Sequence, residues 1–81
     1  MAYHKREIAK GIFGEFSKIQ EEIEELQDAH EQGSKILELV ELSDLYGAIE
    51  GYLCLHYGMT MEDIKQMSDM TCSSFREGKR K

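Results

Sequence analysis

Apolar and polar positions alternate along this chain in three blocks separated by glycine. From about residue 15 to 32, Phe16, Ile19, Ile23, Leu26 and His30 recur at 3,4,3,4 spacing, the seam of a helix that packs on other helices. Gly33 stands where that helix should stop, and Ser34 can cap the next one, with Leu37 and Glu38 in its first turn. The second block, 34–57, differs in kind. Between Ile36 and Leu55, thirteen of twenty residues are apolar, and they occupy every side of a helical wheel. It reads as a central helix, ending at Tyr57-Gly58. Thr60, with Asp63 three residues on, opens a third helix over 60–77 whose stripe is Ile64, Met67, Met70 or Thr71, and Phe75. Before these lies an irregular arm, 1–14, in which Gly11 and Gly14 bracket Ile12-Phe13; after them lies a basic tail, 78–81. No strand pattern, proline or repeat occurs. The expected fold is all-α and single-domain over 1–81: an antiparallel helix hairpin plus a C-terminal helix.

Size changes that picture. Eighty-one residues lie near the lower limit for folding alone. A central helix that is apolar all round needs more cover than one short chain supplies, so completion by a homo-oligomer is expected, with Tyr46, Ile49 and Leu53 facing another subunit.

Charge changes it again. The formal net charge is −6, which argues against nucleic acid as a partner and suits cation binding. Cys54 and Cys72 form no pair pattern, and Cys54, inside the apolar helix, reads as a small core residue. Met1 leads into His4, Lys5 and Arg6 with no apolar run behind them, and no run reaches the ~18 residues of a membrane span. The expectation is a protein of the reducing cytoplasm (of a host cell, if phage-encoded), with no membrane partner.

The informative conflict is Glu41-Leu-Ser-Asp44, two acids in the middle of the greasiest helix. A bare buried carboxylate costs several kcal/mol, so each acid requires a partner. No Lys or Arg occurs between Ile36 and Ile64, so the partner must come from another segment, another chain or a metal ion. The first helix carries a second group, Glu21, Glu22, Glu24, Glu25 and Asp28. Glu24 and Asp28 read as solubilising surface charges. Glu22 and Glu25 repeat the i,i+3 spacing of Glu41 and Asp44. In an antiparallel hairpin turning near Gly33, Glu25 falls level with Glu41, and Glu22 with Asp44. Four carboxylates that close cannot all stay ionised without cations. Oxygen ligands with no His or Cys beside them suit Mg²⁺ or Mn²⁺. A calcium loop is excluded because the acids lie on helices, and iron is disfavoured because Asp44 stands where a Glu-x-x-His pattern would place histidine.

Glu21-Glu-Ile-Glu-Glu25, fifteen residues, then Glu41-Leu-Ser-Asp44 resembles the EExxE…ExxD signature of the MazG-like, all-α nucleoside triphosphate pyrophosphohydrolases. The resemblance runs from about Ser17 to Arg80. Its close, Met61-Glu-Asp-Ile-Lys65 and Thr71 to Arg80, is similar to the short, phage-type members. It implies a minimal MazG-like bundle that cleaves (d)NTPs at the α–β linkage to a monophosphate and pyrophosphate. It implies Mg²⁺, replaceable by Mn²⁺, two or more ions per site, held by Glu22, Glu25, Glu41 and Asp44. Glu21 would orient water or support the ligands, and the catalytic candidates are Glu21 and Glu22. Members form dimers or tetramers built as dimers of dimers.

A polyphosphate substrate also needs local cations, for which Lys18, Lys65, Arg76, Lys79 and Arg80 are the candidates. Each has a plainer reading: Lys18 as an i,i+4 partner of Glu22, and the last three as a solvated tail. His30, His56 and Tyr57 read as packing or surface groups. The alternatives in function are an acidic helical adaptor or inhibitor, which predicts exposed acids, and a metal-binding bundle without turnover.

Overall fold

The structure, a computed structural model, describes residues 4–76, with side chains through Cys72. Three helices follow one another: α1 (Phe16–Gln32), α2 (Lys35–Tyr57) and α3 (Met61–Arg76). The expected end of the third helix at residue 77 and the tail 78–81 lie outside the described residues, as does the start of the arm. No described helix is long and apolar enough to cross a membrane.

The local signals work as their chemistry requires. Gly33 adopts φ 72°, a left-handed conformation that a side chain would disfavour, and its N–H donates to His30 while that of Ser34 donates to Ala29. The Ser34 hydroxyl accepts from the Leu37 N–H at 3.2 Å, which starts α2. Thr60 and Asp63 cap α3 reciprocally: the Thr60 N–H donates to Asp63 Oδ2 at 2.9 Å, and the Asp63 N–H to Thr60 Oγ1 at 3.3 Å. α1 has no side-chain cap. Its entry is held by a turn in which the Glu15 N–H donates to the Ile12 carbonyl, and the Ile12 N–H donates to Ser17 Oγ.

α1 and α2 pack along each other as an antiparallel hairpin. Phe16 lies on Tyr52 (ring centroids 6.0 Å) and His30 reaches Glu38 at 3.3 Å, so these pairs are symmetric about Ser34, one residue beyond the Gly33 centre used to match the acids. α3 scarcely touches either helix. The chain is therefore extended, with a radius of gyration of 15.0 Å, against roughly 12 Å for a compact domain of this length.

The inside of the hairpin is not the apolar seam. Its buried apolar residues are Ala29, Ala48 and Leu53, and beside them are buried Glu21, Glu22, Asp28 and Glu41. Phe16 and Ile23 of the expected seam are about half exposed. α1 has turned its acidic stripe inward, and of the apolar one only Ile19 and Leu26 are half-buried. The expectation for α2 is corrected in the same way. Cys54 is exposed, not core, because α1 covers α2 on one side only and Cys54 falls outside that footprint. Leu53, expected at a subunit boundary, is buried within the hairpin, whereas Ile36, Leu39 and Tyr46 are exposed at 80%, 68% and 54%.

Candidate metal centre

The hairpin register brings the four expected ligands together as overlapping groups. Glu22, Glu41 and Asp44 each place a carboxylate oxygen within 4.8 Å of the other two, and so do Glu21, Glu22 and Glu25. A third group joins Glu25 and Glu41 to a residue the sequence reading passed over, His4. Glu22 and Glu41 are buried, Glu25 is half-buried, and Asp44 is exposed. The exposure of Asp44 corrects the expectation that both acids of α2 are enclosed. One turn from Glu41 and about 60° further round, it passes the edge of what α1 covers.

The partner that Glu41 requires comes from another segment. His4 bridges the helices, with Nδ1 at 2.8 Å from Asp28 Oδ2 and Nε2 at 2.9 Å from Glu41 Oε2. Asp28 is thus no solubilising charge. It is buried, and it also accepts from the Lys5 N–H at 3.1 Å and from the Gln32 amide at 2.8 Å. The arm is pinned again where Arg6 donates to Glu31 Oε1 at 2.6 Å. His4 is 24 residues from Asp28 and 37 from Glu41, so no helical spacing could have flagged it. The available signal was coarse: a basic His4-Lys-Arg6 arm ahead of an acidic helix.

Two buried oxygens have no hydrogen-bond partner, Glu22 Oε1 and Glu41 Oε1, one from each helix of the hairpin. A buried acceptor without a donor carries its full desolvation cost. Protonation divides the acids of α1. Burial pushes the Glu22 carboxyl up, Lys18 offsets only part of that, and the neighbouring Glu25 adds to it. Glu25 is also raised by burial, against a side-chain hydrogen bond shared with Glu22, with the charges of Glu41 and Glu21 adding and His4 opposing. Glu21 and Asp28 go the other way. Burial raises each, but the Gly11 N–H and Lys18 outweigh it for Glu21, and His4, Gln32 and the Lys5 N–H for Asp28, so both fall below the usual carboxylate range.

These features fit a hard divalent cation: oxygen donors from two rigid helices, unpaired lone pairs, and carboxyls that resist ionising together. Glu21 stands apart. Its Oε1 accepts from the Gly11 N–H at 2.8 Å and from Lys18 Nζ at 3.1 Å, so that oxygen is already committed.

The expected phosphate-binding cations are not brought together among the described residues. Lys18 lies at the acids, 3.1 Å from Glu21 and 3.2 Å from Glu22, as its plainer ion-pair reading required. Lys65 bonds Asp69 at 2.9 Å on the exposed side of α3. The side chain of Arg76, and Lys79 and Arg80, lie outside the described residues. Glu24 is exposed, as expected; so are His30, His56 and Tyr57. Surface grooves run along the apolar flank of α2, lined by Leu39 and Leu42 or by Ile36, Leu37 and Val40.

Compared with known protein families, curated proteins and solved structures, the chain matches none of them.

Proposed function

We propose that this chain is a MazG-like nucleoside triphosphate pyrophosphohydrolase, cleaving (d)NTPs at the α–β linkage to a monophosphate and pyrophosphate. The observation that carries the reading is that Glu22 and Glu41, each buried with one unpartnered oxygen, bring their carboxylates within 4.8 Å of one another and of exposed Asp44. Two acids per helix in EExxE…ExxD order give the resemblance, and the register supports it by making them converge.

In this reading Glu22, Glu25, Glu41 and Asp44 hold Mg²⁺ or Mn²⁺. Bound there, the cation acidifies water and steadies phosphate oxygens. The chain's own groups do the rest. Burial of Glu22 and Glu41 keeps two ligands at fixed positions on packed helices. Exposed Asp44 leaves the centre open on the side from which a triphosphate can approach. Lys18 supplies a cation at the acids, and Glu21 holds it there, which makes Glu21 a positioning residue rather than the base. A homo-oligomer, dimer or dimer of dimers, belongs to the same proposal. The seam of α1 and the flank of α2 through Ile36, Leu39 and Tyr46 form apolar surface that a second copy would cover.

An acidic adaptor would present its acids outward, and the burial of Glu22 and Glu41 opposes that. The deciding experiment is pyrophosphate release from a panel of (d)NTPs with Mg²⁺ or Mn²⁺. Wild type should yield monophosphate and pyrophosphate. Glu41→Gln should lose on the order of 10³-fold or more, since a metal-ion role is worth several kcal/mol. Glu24→Gln, whose side chain points to solvent, should keep most activity. Diphosphate and orthophosphate as products, or full activity in Glu41→Gln, would overturn the assignment.

A further inference from the structure

We propose that His4 is a nitrogen ligand of this metal centre, delivered by the N-terminal arm and aimed by Asp28. The proposal rests on the reading of the acids as a metal site and adds a donor that the acidic signature lacks.

The geometry has three parts. First, one nitrogen of His4 and one oxygen each of Glu25 and Glu41 lie within 4.8 Å of one another, close enough to converge on a single ion. Second, Glu41, with 3% of its surface exposed, turns Oε2 to His4 and leaves Oε1 unpartnered. The ring and an empty lone pair therefore sit at one carboxylate. Third, the other ring nitrogen is fixed. Nδ1 lies 2.8 Å from Asp28 Oδ2, and Asp28 is itself held by the Lys5 N–H and the Gln32 amide. Histidines that bind metals commonly donate their remote N–H to a buried carboxylate, which sets the tautomer and raises the basicity of the coordinating nitrogen. Nδ1 keeps its proton on Asp28, and a cation would displace the proton that Nε2 shares with Glu41, so Nε2 is the atom freed to coordinate.

A nitrogen donor changes which ions the centre favours. Four carboxylates alone suit Mg²⁺; an imidazole among them favours Mn²⁺ and, more strongly, Co²⁺. It also gives the arm a task. Lys5 and Arg6 staple it to Asp28 and Glu31 on α1, and the residue between that staple and the centre is His4.

The test uses the full chain with Mn²⁺ and with Co²⁺. Pulsed EPR of Mn²⁺ bound to protein labelled with ¹⁵N-histidine should show a directly bonded nitrogen, and His4→Gln should lose it while His30 and His56 remain in place. By titration, His4→Gln should weaken Co²⁺ by about tenfold or more, yet weaken Mg²⁺ by less than about threefold, because Mg²⁺ has little preference for imidazole. Asp28→Asn should weaken Co²⁺ by ~10-fold, the usual cost of losing such a supporting carboxylate. Circular dichroism of both variants should match wild type. Mn²⁺ bound without nitrogen coupling, or Co²⁺ affinity unchanged in His4→Gln, overturns the ligand role of His4 and leaves the carboxylate centre standing. Failure of wild type to bind Mn²⁺ or Co²⁺ overturns the centre itself, and this proposal with it.

Discussion

Glu21 and Glu22 are neighbours on α1, are equally buried and share one lysine, yet they have opposite characters. Glu21 is satisfied: the Gly11 N–H, Lys18 and, at 4.0 Å, Lys10 converge on it, and its carboxyl is held below the usual range. Glu22 meets Lys18 with one oxygen only, keeps the other unpartnered, and is pushed up by burial. Asp28 and Glu41, which share His4, differ in their hydrogen bonds in the same way: Asp28 also accepts from the Lys5 N–H and the Gln32 amide, whereas Glu41 keeps Oε1 unpartnered. Burial of an acid is therefore no sign of a site by itself. What distinguishes Glu22 and Glu41 is a lone pair that folding desolvates and nothing in the described chain occupies. The satisfied acids anchor the arm; the other two each keep an oxygen that a cation could take.

The sharpest way to break that contrast is to neutralise each neighbour in turn. Glu22→Gln should reduce Mn²⁺ affinity by on the order of 10²-fold or more, as loss of a direct ligand costs at least what loss of a supporting one does. It should leave the metal-free protein as stable as wild type or more so, because it removes a raised, repelled carboxyl. Glu21→Ala should do the reverse. It strands the Gly11 N–H and Lys18, at a cost of roughly 1–3 kcal/mol, while Mn²⁺ affinity falls far less than in Glu22→Gln. Calorimetric titration and thermal melts of the two variants side by side decide it. Equal effects on affinity would erase the distinction.

A second probe lies in the arm that satisfies Glu21. A Cβ on Gly11 would sit 2.3 Å from the Ser17 carbonyl oxygen, a backbone contact that cannot yield cheaply. Gly11→Ala should therefore shift the arm, pull its N–H from Glu21 and lower the melting temperature. Gly51→Ala meets only the ring tip of Phe13 at 2.7 Å, on a side chain that is 68% exposed and can swing aside, so its effect should be small. Equal melting temperatures for the two variants would mean that the arm does not support Glu21.

The mildest probe is pH, with a chelator present. Glu22 and Glu25 are raised in the folded chain, so the stability they contribute is in place below the ordinary glutamate value of about 4.3 and is lost as pH rises through their folded values. The pKa of His4 is also raised, by Asp28 and Glu41 against the effect of burial; its contribution is in place below about 6.5 and is lost above its folded value. Glu21 and Asp28 are lowered, so theirs is in place above about 4 and is lost as pH falls through their folded values. The metal-free protein should melt highest in mildly acidic solution and lose stability toward neutral pH, less steeply in Glu22→Gln. A melting temperature that climbs steadily to pH 8 would contradict the raised carboxyls.

The sequence by itself determined the helices, their stops and the register. Gly33, Ser34 and Thr60-Asp63 act locally, through backbone conformation and caps within a few residues, and such effects can be read wherever they occur. Register followed from counting outward from one tight turn, which is why Glu22, Glu25, Glu41 and Asp44 could be matched without coordinates. Only the tertiary structure decided which face of α1 turned inward. Periodicity favoured the Phe16–Leu26 seam, but an apolar stripe does not say whether it is covered by its own chain or another, and here the acidic stripe took the inner side. The same limit hid Asp28 as an anchor, Cys54 as a surface residue and His4 as the bridge between Asp28 and Glu41. Their roles depend on contacts between segments far apart in the chain, where a residue's chemistry names what it can bind and only the fold decides what it meets.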